Sequence, residues 1–434
     1  MQSRFSLAAL TLLLANTVYA ESILDVYNTA KVSDPMLLQA KAQSEEAKEG
    51  INSMRSVLLP QLDLTAGYDY YNSDRPLLSS EQWRAGVQFS QEIYNPASWI
   101  HLEQAEKSAV RGGVMYAQAQ QGLIIRVAEA YFNVLKAEDA LKLTQAEKAA
   151  IEKYASTINE AYRVGTADLT DLQDARAQLD RVSATLVKIR NQVRNSYEAL
   201  RKITKVSYQD LDTLSVERFS ASLPTLSADS MVELALQENL SILSETMAKD
   251  IAKTDIELAQ SGHLPHLSLN AGYQYSNEQR DDSFYSKGGS NDTYGGLNFV
   301  VPLYSGGGTS SQVKQAELRY VAASQGLEKV YRDVSSDVRG TYNDILASLE
   351  DIKAQQQSTT SAELALSTQQ LGLEVGTRTI VDVLQATSFY YDAQLRLSNA
   401  RYNYILNRLY LKQLVGNLNE GDILSIHQGL SQVQ

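Results

Sequence analysis

Pro60-Gln61-Leu62-Asp63-Leu64-Thr65-Ala66-Gly67-Tyr68 returns 205 residues later as Pro265-His266-Leu267-Ser268-Leu269-Asn270-Ala271-Gly272-Tyr273. In both stretches apolar and polar residues alternate, the period of a strand with one apolar and one polar face. A second alternating run follows each: Trp83, Ala85, Val87 and Phe89, then Leu297, Phe299, Val301 and Leu303. The spacing predicts strand hairpins over about 61–92 and 266–303. Val164-Gly165-Thr166 also recurs as Val375-Gly376-Thr377, now 211 residues on, and Asp171 and Ala175 recur as Asp382 and Ala386. The chain is therefore two copies of one plan. The six extra residues fall most simply in the longer hairpin loop of the second copy.

The segments between the strands read as helix. Only 7 prolines occur, and none lies between Pro96 and Pro224 or after Pro302. Those runs of 127 and 132 residues lack the residue that breaks helices and are rich in good helix formers. Leu123, Val127, Ala130, Val134, Ala137 and Leu141 form a coiled-coil stripe, which Val334, Val338, Thr341, Ile345, Ser348 and Ile352 repeat at the 211 offset. Helices are expected over about 97–163 and 310–374, each about 100 Å long. Gly165 and Gly376 suit the positive φ of a helix C-cap. Return helices follow over about 168–203 and 379–415, giving two helical hairpins, over about 97–203 and 310–415. Shorter helices, about 22–55 and 230–260, precede the strands. Segments 205–227 and 417–434 fit neither period and read as irregular equatorial covering. The halves divide as 21–227 and 228–434.

Residues 1–20 read as a secretory signal, with Arg4, an apolar run from Leu7 to Ala15, and Val18-Tyr19-Ala20 before the cut. Removal of Arg4 takes the net charge from −12 to −13. That sign gives no reason to bind nucleic acid. With 0 cysteines and 4 histidines there is little material for a metal or acid–base centre. No cofactor is expected. His263 and His266 flank Pro265 without a third ligand. Gly306-Gly307-Gly308 lacks the Gly-Lys-Ser/Thr of a phosphate loop and reads as a joint between strand and helix. No nucleophile–base–orienter set is apparent, so the chain does not read as an enzyme.

Strands near ten residues suit a tilted crossing of an outer membrane, although a soluble sandwich shows the same alternation. Tyr68, Tyr70, Tyr71, Trp83, Tyr94, Trp99, Tyr273, Tyr275, Tyr294 and Tyr304 cluster toward strand ends, where an aromatic girdle would lie. Four strands cannot close a membrane barrel, whose open edges cannot face lipid. The strands must be shared: two chains supply eight and three supply twelve. Loops 72–80 and 277–292 would face outside, the second long, polar and expected to move.

Gly376-Thr377-Arg378-Thr379-Ile380-Val381-Asp382-Val383-Leu384, Ala400-Arg401-Tyr402-Asn403-Tyr404, Gly262-His263-Leu264-Pro265 and Ser311-Gln312-Val313-Lys314-Gln315-Ala316 resemble the TolC family of outer-membrane channel-tunnel proteins. The resemblance spans essentially the whole mature chain. It implies a mixed α and β membrane protein: a long coiled-coil α-helical barrel in the periplasm plus a transmembrane β-barrel in outer-membrane lipid. It also implies a homotrimer, with four strands per protomer and twelve in all. The implied partners are a periplasmic adaptor (membrane fusion protein) and an inner-membrane pump of the RND, ABC or MFS class. The implied function is an exit duct for drugs, bile salts and proteins; an alternative is a duct dedicated to one secreted protein.

The same resemblance assigns site residues. Gly165 and Gly376 match tips that the adaptor contacts. Arg378 matches an arginine that holds neighbouring helices closed through Thr170 and Asp171. Asp382 matches an aspartate of the pore constriction, where threefold repulsion would raise its pKa. Gln385 stands where other members carry a second pore aspartate, and Leu373 where they carry a tyrosine that hydrogen-bonds in the closed tip. A link between helices is therefore expected to be missing. Asp174, the first-copy counterpart of Gln385, would partly compensate.

Overall fold

The computed structural model describes residues 21–72, 80–215, 218–280 and 288–431. The expected signal segment and the hairpin tips 73–79 and 281–287 lie outside the described residues. The first half runs α1 (Ile23–Ser33), α2 (Pro35–Val57), β1 (Gln61–Tyr71), β2 (Ser80–Tyr94), α3 (Pro96–Arg163), α4 (Leu169–Thr204) and β3 (Thr213–Leu214). The second runs α5 (Ala228–Glu238), α6 (Leu240–Ser261), β4 (His266–Arg280), β5 (Gly288–Val300), α7 (Gly308–Glu374), α8 (Ile380–Val415), α9 (Glu420–Gly429) and β6 (Leu430–Ser431).

Each short leading helix is broken in two, where the sequence predicts one continuous helix. Pro35 disfavours the helical conformation in its predecessor, and Asp34 turns extended at ψ 118°. Its carboxylate then caps α2 by accepting from the Leu37 amide at 2.7 Å. Asn239 does the same at ψ 124° with no proline behind it. Its side-chain oxygen accepts from the Ser241 and Ile242 amides at 2.8 and 3.1 Å, the N-cap chemistry that favours Asn and Asp. The two breaks are separated by the same 205 residues as the strands. The equatorial segments are also more ordered than expected. α9 occupies most of the C-terminal one, and β6 pairs antiparallel with β3.

The four long strands form one antiparallel sheet in the order β1-β2-β4-β5. Its register puts Leu62 opposite Phe89, Leu64 opposite Val87 and Tyr68 opposite Trp83. Val87 meets Tyr273, and Leu269 meets Leu297. One face is therefore apolar over much of its area, giving way to Thr293 and Asn291 opposite Tyr273 and Tyr275. Leu62, Leu64, Tyr68, Trp83 and Leu297 are exposed on it, with the Tyr68 and Trp83 rings 4.6 Å apart. A bulge between Glu92 and Tyr94 shifts the phase and sets Tyr94 opposite Leu267. Not every tyrosine belongs to this face. Tyr71 and Tyr294 point to the polar side, since Tyr294 pairs with Gly272 rather than with Tyr273. A Cβ at Gly272 would lie 2.7 Å from the Tyr294 ring. Arg84 and Asp69 pair on the polar face. The second strand hairpin has a shorter connection than expected, because β4 runs on to Arg280 and β5 begins at Gly288. Within the described residues β1 and β5 each keep one unpaired edge.

Below the sheet, α3 and α7 run for 68 and 67 residues, about 100 Å each. Gly306 and Gly307, at φ +62° and +82°, turn the chain from strand region into α7. An equatorial core gathers Ile23, Val26, Tyr131, Phe132, Leu200 and Ile423 from elements of both halves. A second joins α5 and α6 to the stripes of α7 and α8 through Val232, Ile242, Val338 and Tyr404. Among the described residues no helix is long and apolar enough to cross a membrane.

Candidate functional site: the two hairpin tips

Each long helix ends on the same cap. In the first tip the Thr166 amide donates to the Ala161 carbonyl at 2.9 Å and the Gly165 amide to Tyr162 at 3.1 Å. In the second, Thr377 donates to Gly372 at 2.9 Å and Gly376 to Leu373 at 3.1 Å. This crossed pair is the Schellman motif, which needs positive φ at its glycine. Gly165 and Gly376 supply +81° and +76°. A Cβ on either would meet nothing within 4 Å, so the demand is conformational, not steric. Both tips are thereby low and exposed.

The return helices begin differently. Asp168 caps α4, its carboxylate accepting from the Leu169 amide at 2.7 Å. Thr379 caps α8 in a closed box: the Asp382 amide donates to the Thr379 hydroxyl at 3.3 Å, while the Asp382 carboxylate accepts from the Thr379 amide and hydroxyl at 2.9 and 2.8 Å. These two hydrogen bonds, with the Arg378 guanidinium adding to them, hold the Asp382 carboxyl below its ordinary value. Repulsion between copies was expected to raise it; within the protomer the cap pulls the other way.

Arg378 is exposed and lies across the end of α7. A Cβ at Gly372 would come 2.5 Å from the Arg378 Cγ, so the absent side chain there makes room for the arginine. Thr170 and Asp174 are exposed on α4, with Asp171 partly covered between them. Among the described residues, the ion pairs and hydrogen bonds within the protomer do not bring Arg378 to Thr170 or Asp171. Gln385 is exposed on α8, one turn above Asp382. Leu373 does not leave a gap: it packs against an apolar cluster of Ile151, Ile158, Leu172, Val182, Ile380 and Leu384. That cluster draws on both hairpins, so apolar burial joins them at this position.

Polar links also tie the hairpins together, none of them marked by a sequence motif. The Gln370 amide donates to the Tyr154 hydroxyl at 2.8 Å. Higher up, Ser388 donates to Glu147 at 2.6 Å and accepts from Gln178 at 2.9 Å. Tyr402 donates to Asp139 at 2.9 Å, and Lys136 to Asn403 at 2.7 Å. Tyr410 reaches Glu129. Burial pushes the Glu147 carboxyl up; the Ser388 hydrogen bond and Arg181 only partly offset it. The one signal in the sequence was a series of hydroxyl residues along α8, which acquires meaning only once α3 lies antiparallel to it.

No group of three His, Cys, Asp or Glu able to hold a metal occurs among the described residues. The arrangement is a capped and charged end of two long helical hairpins. The family model described as outer membrane efflux protein matches residues 26–204 and 231–417. Outer membrane protein TolC of Vibrio cholerae serotype O1 is 47% identical over 418 residues, covering 96% of this chain and 95% of the relative. Alkaline protease secretion protein AprF of Pseudomonas aeruginosa is 26% identical, covering 96% and 88%. The crystal structure of the Campylobacter jejuni CmeC outer membrane channel superposes with a TM-score of 0.78 at 18% identity, covering 94% and 90%.

Proposed function

Since this chain belongs to the outer membrane efflux protein family, an exit duct of the outer membrane for efflux and type I secretion, we propose that three copies assemble into one channel. The observation that carries the reading is a four-stranded sheet with an apolar face and two unpaired edges, set on two helical hairpins of about 100 Å. Edges cannot be left open in lipid. Three copies close them into a twelve-stranded barrel whose polar face, with Asp69 and Arg84, lines a wet lumen. Their hairpins form the periplasmic tunnel.

The tips then serve as the aperture. Asp382 forms a carboxylate ring, Gln385 an amide ring above it, and Arg378 reaches Thr170 and Asp171 of a neighbouring copy. Asp174 adds negative charge from the first-copy hairpin. A periplasmic adaptor docks at the exposed Gly165 and Gly376 turns, and an inner-membrane pump of the RND, ABC or MFS class supplies the energy. Drugs, bile salts and proteins are the cargo. The likeness to AprF favours a second reading, a duct dedicated to one secreted protein.

Deletion of the gene separates the two. Drug and bile-salt hypersensitivity with lost secretion, both restored by the wild-type chain, is the expected result. Lost secretion with unchanged drug tolerance selects the dedicated duct. A monomer on chemical crosslinking in native membranes overturns the shared barrel.

A further inference from the structure

The exposed face of α8 near the tip is not uniformly polar. Val381, Gln385, Phe389, Asp392 and Arg396 are its exposed residues, spaced at four, four, three and four, which places them on one stripe. Ile380, Val383, Leu384 and Thr387 are buried on the opposite side. Phe389 is 55% exposed although it is a large aromatic side chain. It stands one turn beyond Gln385 and seven residues from Asp382, about 10 Å up the helix. Above it the stripe turns charged, with the Arg396 Nε donating to Asp392 at 2.8 Å.

We propose that Phe389 lines the lumen as an apolar ring, a second constriction inward of the Asp382 and Gln385 rings. This rests on reading those two residues as the aperture. Helical geometry leaves little choice once that reading holds, since residues seven apart share a face. Copies around the threefold axis bring their Phe389 rings to one level. A short apolar collar in a polar tunnel resists wetting and retards hydrated ions, while it offers contact to cargo with apolar surface. The tip thus discriminates twice: by charge at Asp382 and by hydration at Phe389.

The absence of native cysteine makes the test direct. Asp382→Cys, Gln385→Cys and Phe389→Cys channels are reconstituted as full-length chains in planar bilayers and treated with a cationic methanethiosulfonate reagent. Stepwise loss of conductance in all three is expected. Loss at 382 and 385 with none at 389 overturns the proposal and leaves the aperture reading standing. No loss at any of the three sinks the aperture reading itself. Because an exposed side chain is exchanged, Phe389→Ala is expected to insert normally and raise single-channel conductance, and Phe389→Leu to retain the wild-type level. Equal conductance in wild type and Phe389→Ala overturns the collar even where the thiol reacts.

Discussion

The two tips share a turn and differ in what they place around it. Both end a long helix on Val-Gly-Thr with the same crossed amide bonds and the same left-handed glycine. Past the glycine they part. The first tip carries Ala167 and an Asp168 cap; the second carries Arg378 and a Thr379 cap that draws Asp382 into a box. Under the C-terminal turn stands Ala161 in the first and Gly372 in the second, and only the glycine leaves room for an arginine across the helix end. The duplicated turn solves the problem of ending a helix. The carboxylate is shared, since Asp171 is the counterpart of Asp382; the divergence adds Arg378 and closes the capping box on one tip.

The largest expected consequence is in ion selectivity. Asp382→Asn keeps an acceptor for the Thr379 cap and removes the charge, so the reversal potential in a salt gradient should move clearly toward zero. Asp174→Asn should move it in the same direction and less. Equal shifts would erase the asymmetry between the tips, and an unchanged potential in Asp382→Asn would contradict the constriction assignment.

The shared turn predicts equal sensitivity. Gly165→Val and Gly376→Val each force a β-branched residue into the left-handed region, at a cost of about 1–2 kcal/mol. Open space around both glycines means that no clash adds to it. Thermal unfolding of detergent-solubilised protein should show similar losses. A much larger loss at Gly376 would reveal that this turn also bears on the assembly.

The caps come next. Thr379→Ala and Asp168→Ala each remove an N-cap worth about 1 kcal/mol. Only Thr379→Ala should also take the hydroxyl hydrogen bond from Asp382, leaving it the backbone amide at 379. A carboxyl held below its unfolded value contributes stability above that unfolded value, and the contribution is lost as pH falls through the folded value. With the box broken, Asp382 should take up its proton at higher pH than in wild type. The midpoint of selectivity against pH should therefore rise in Thr379→Ala and stay in place in Asp168→Ala.

Much of this architecture was legible because it is periodic. Alternation marked the strands, the coiled-coil stripe marked the long helices, and the recurring glycines marked their ends to within one or two residues. What escaped depends on packing between elements distant in sequence. The break at Asn239 has no proline to announce it. Tyr294 was assigned to a girdle by type, but register turns it to the polar face. The missing hydroxyl of Leu373 could be read from its residue type, but its packing against the apolar cluster joining the hairpins could not. Asp382 was legible as a carboxylate just past the second tip, while its capping role depends on its third position in the helix.

The smallest effect lies in what ties the hairpins together. Glu147 is half-buried and answered by the Ser388 hydroxyl rather than by a directly paired cation. Burial raises its folded pKa above 4.5, so the folded chain takes up this proton more readily than the unfolded one. Stability from this group therefore rises as pH falls through the folded value, and the ionised form at neutral pH is the costly one. Glu147→Gln keeps an oxygen for Ser388 and removes the charge. It should stabilise the protein at pH 7 by less than about 1 kcal/mol, since partial exposure screens the penalty. The gain should shrink toward pH 5. A destabilised variant at pH 7 would mean that the charge itself holds the link, through Arg181, and that the two hairpins are joined electrostatically rather than by a hydroxyl clasp.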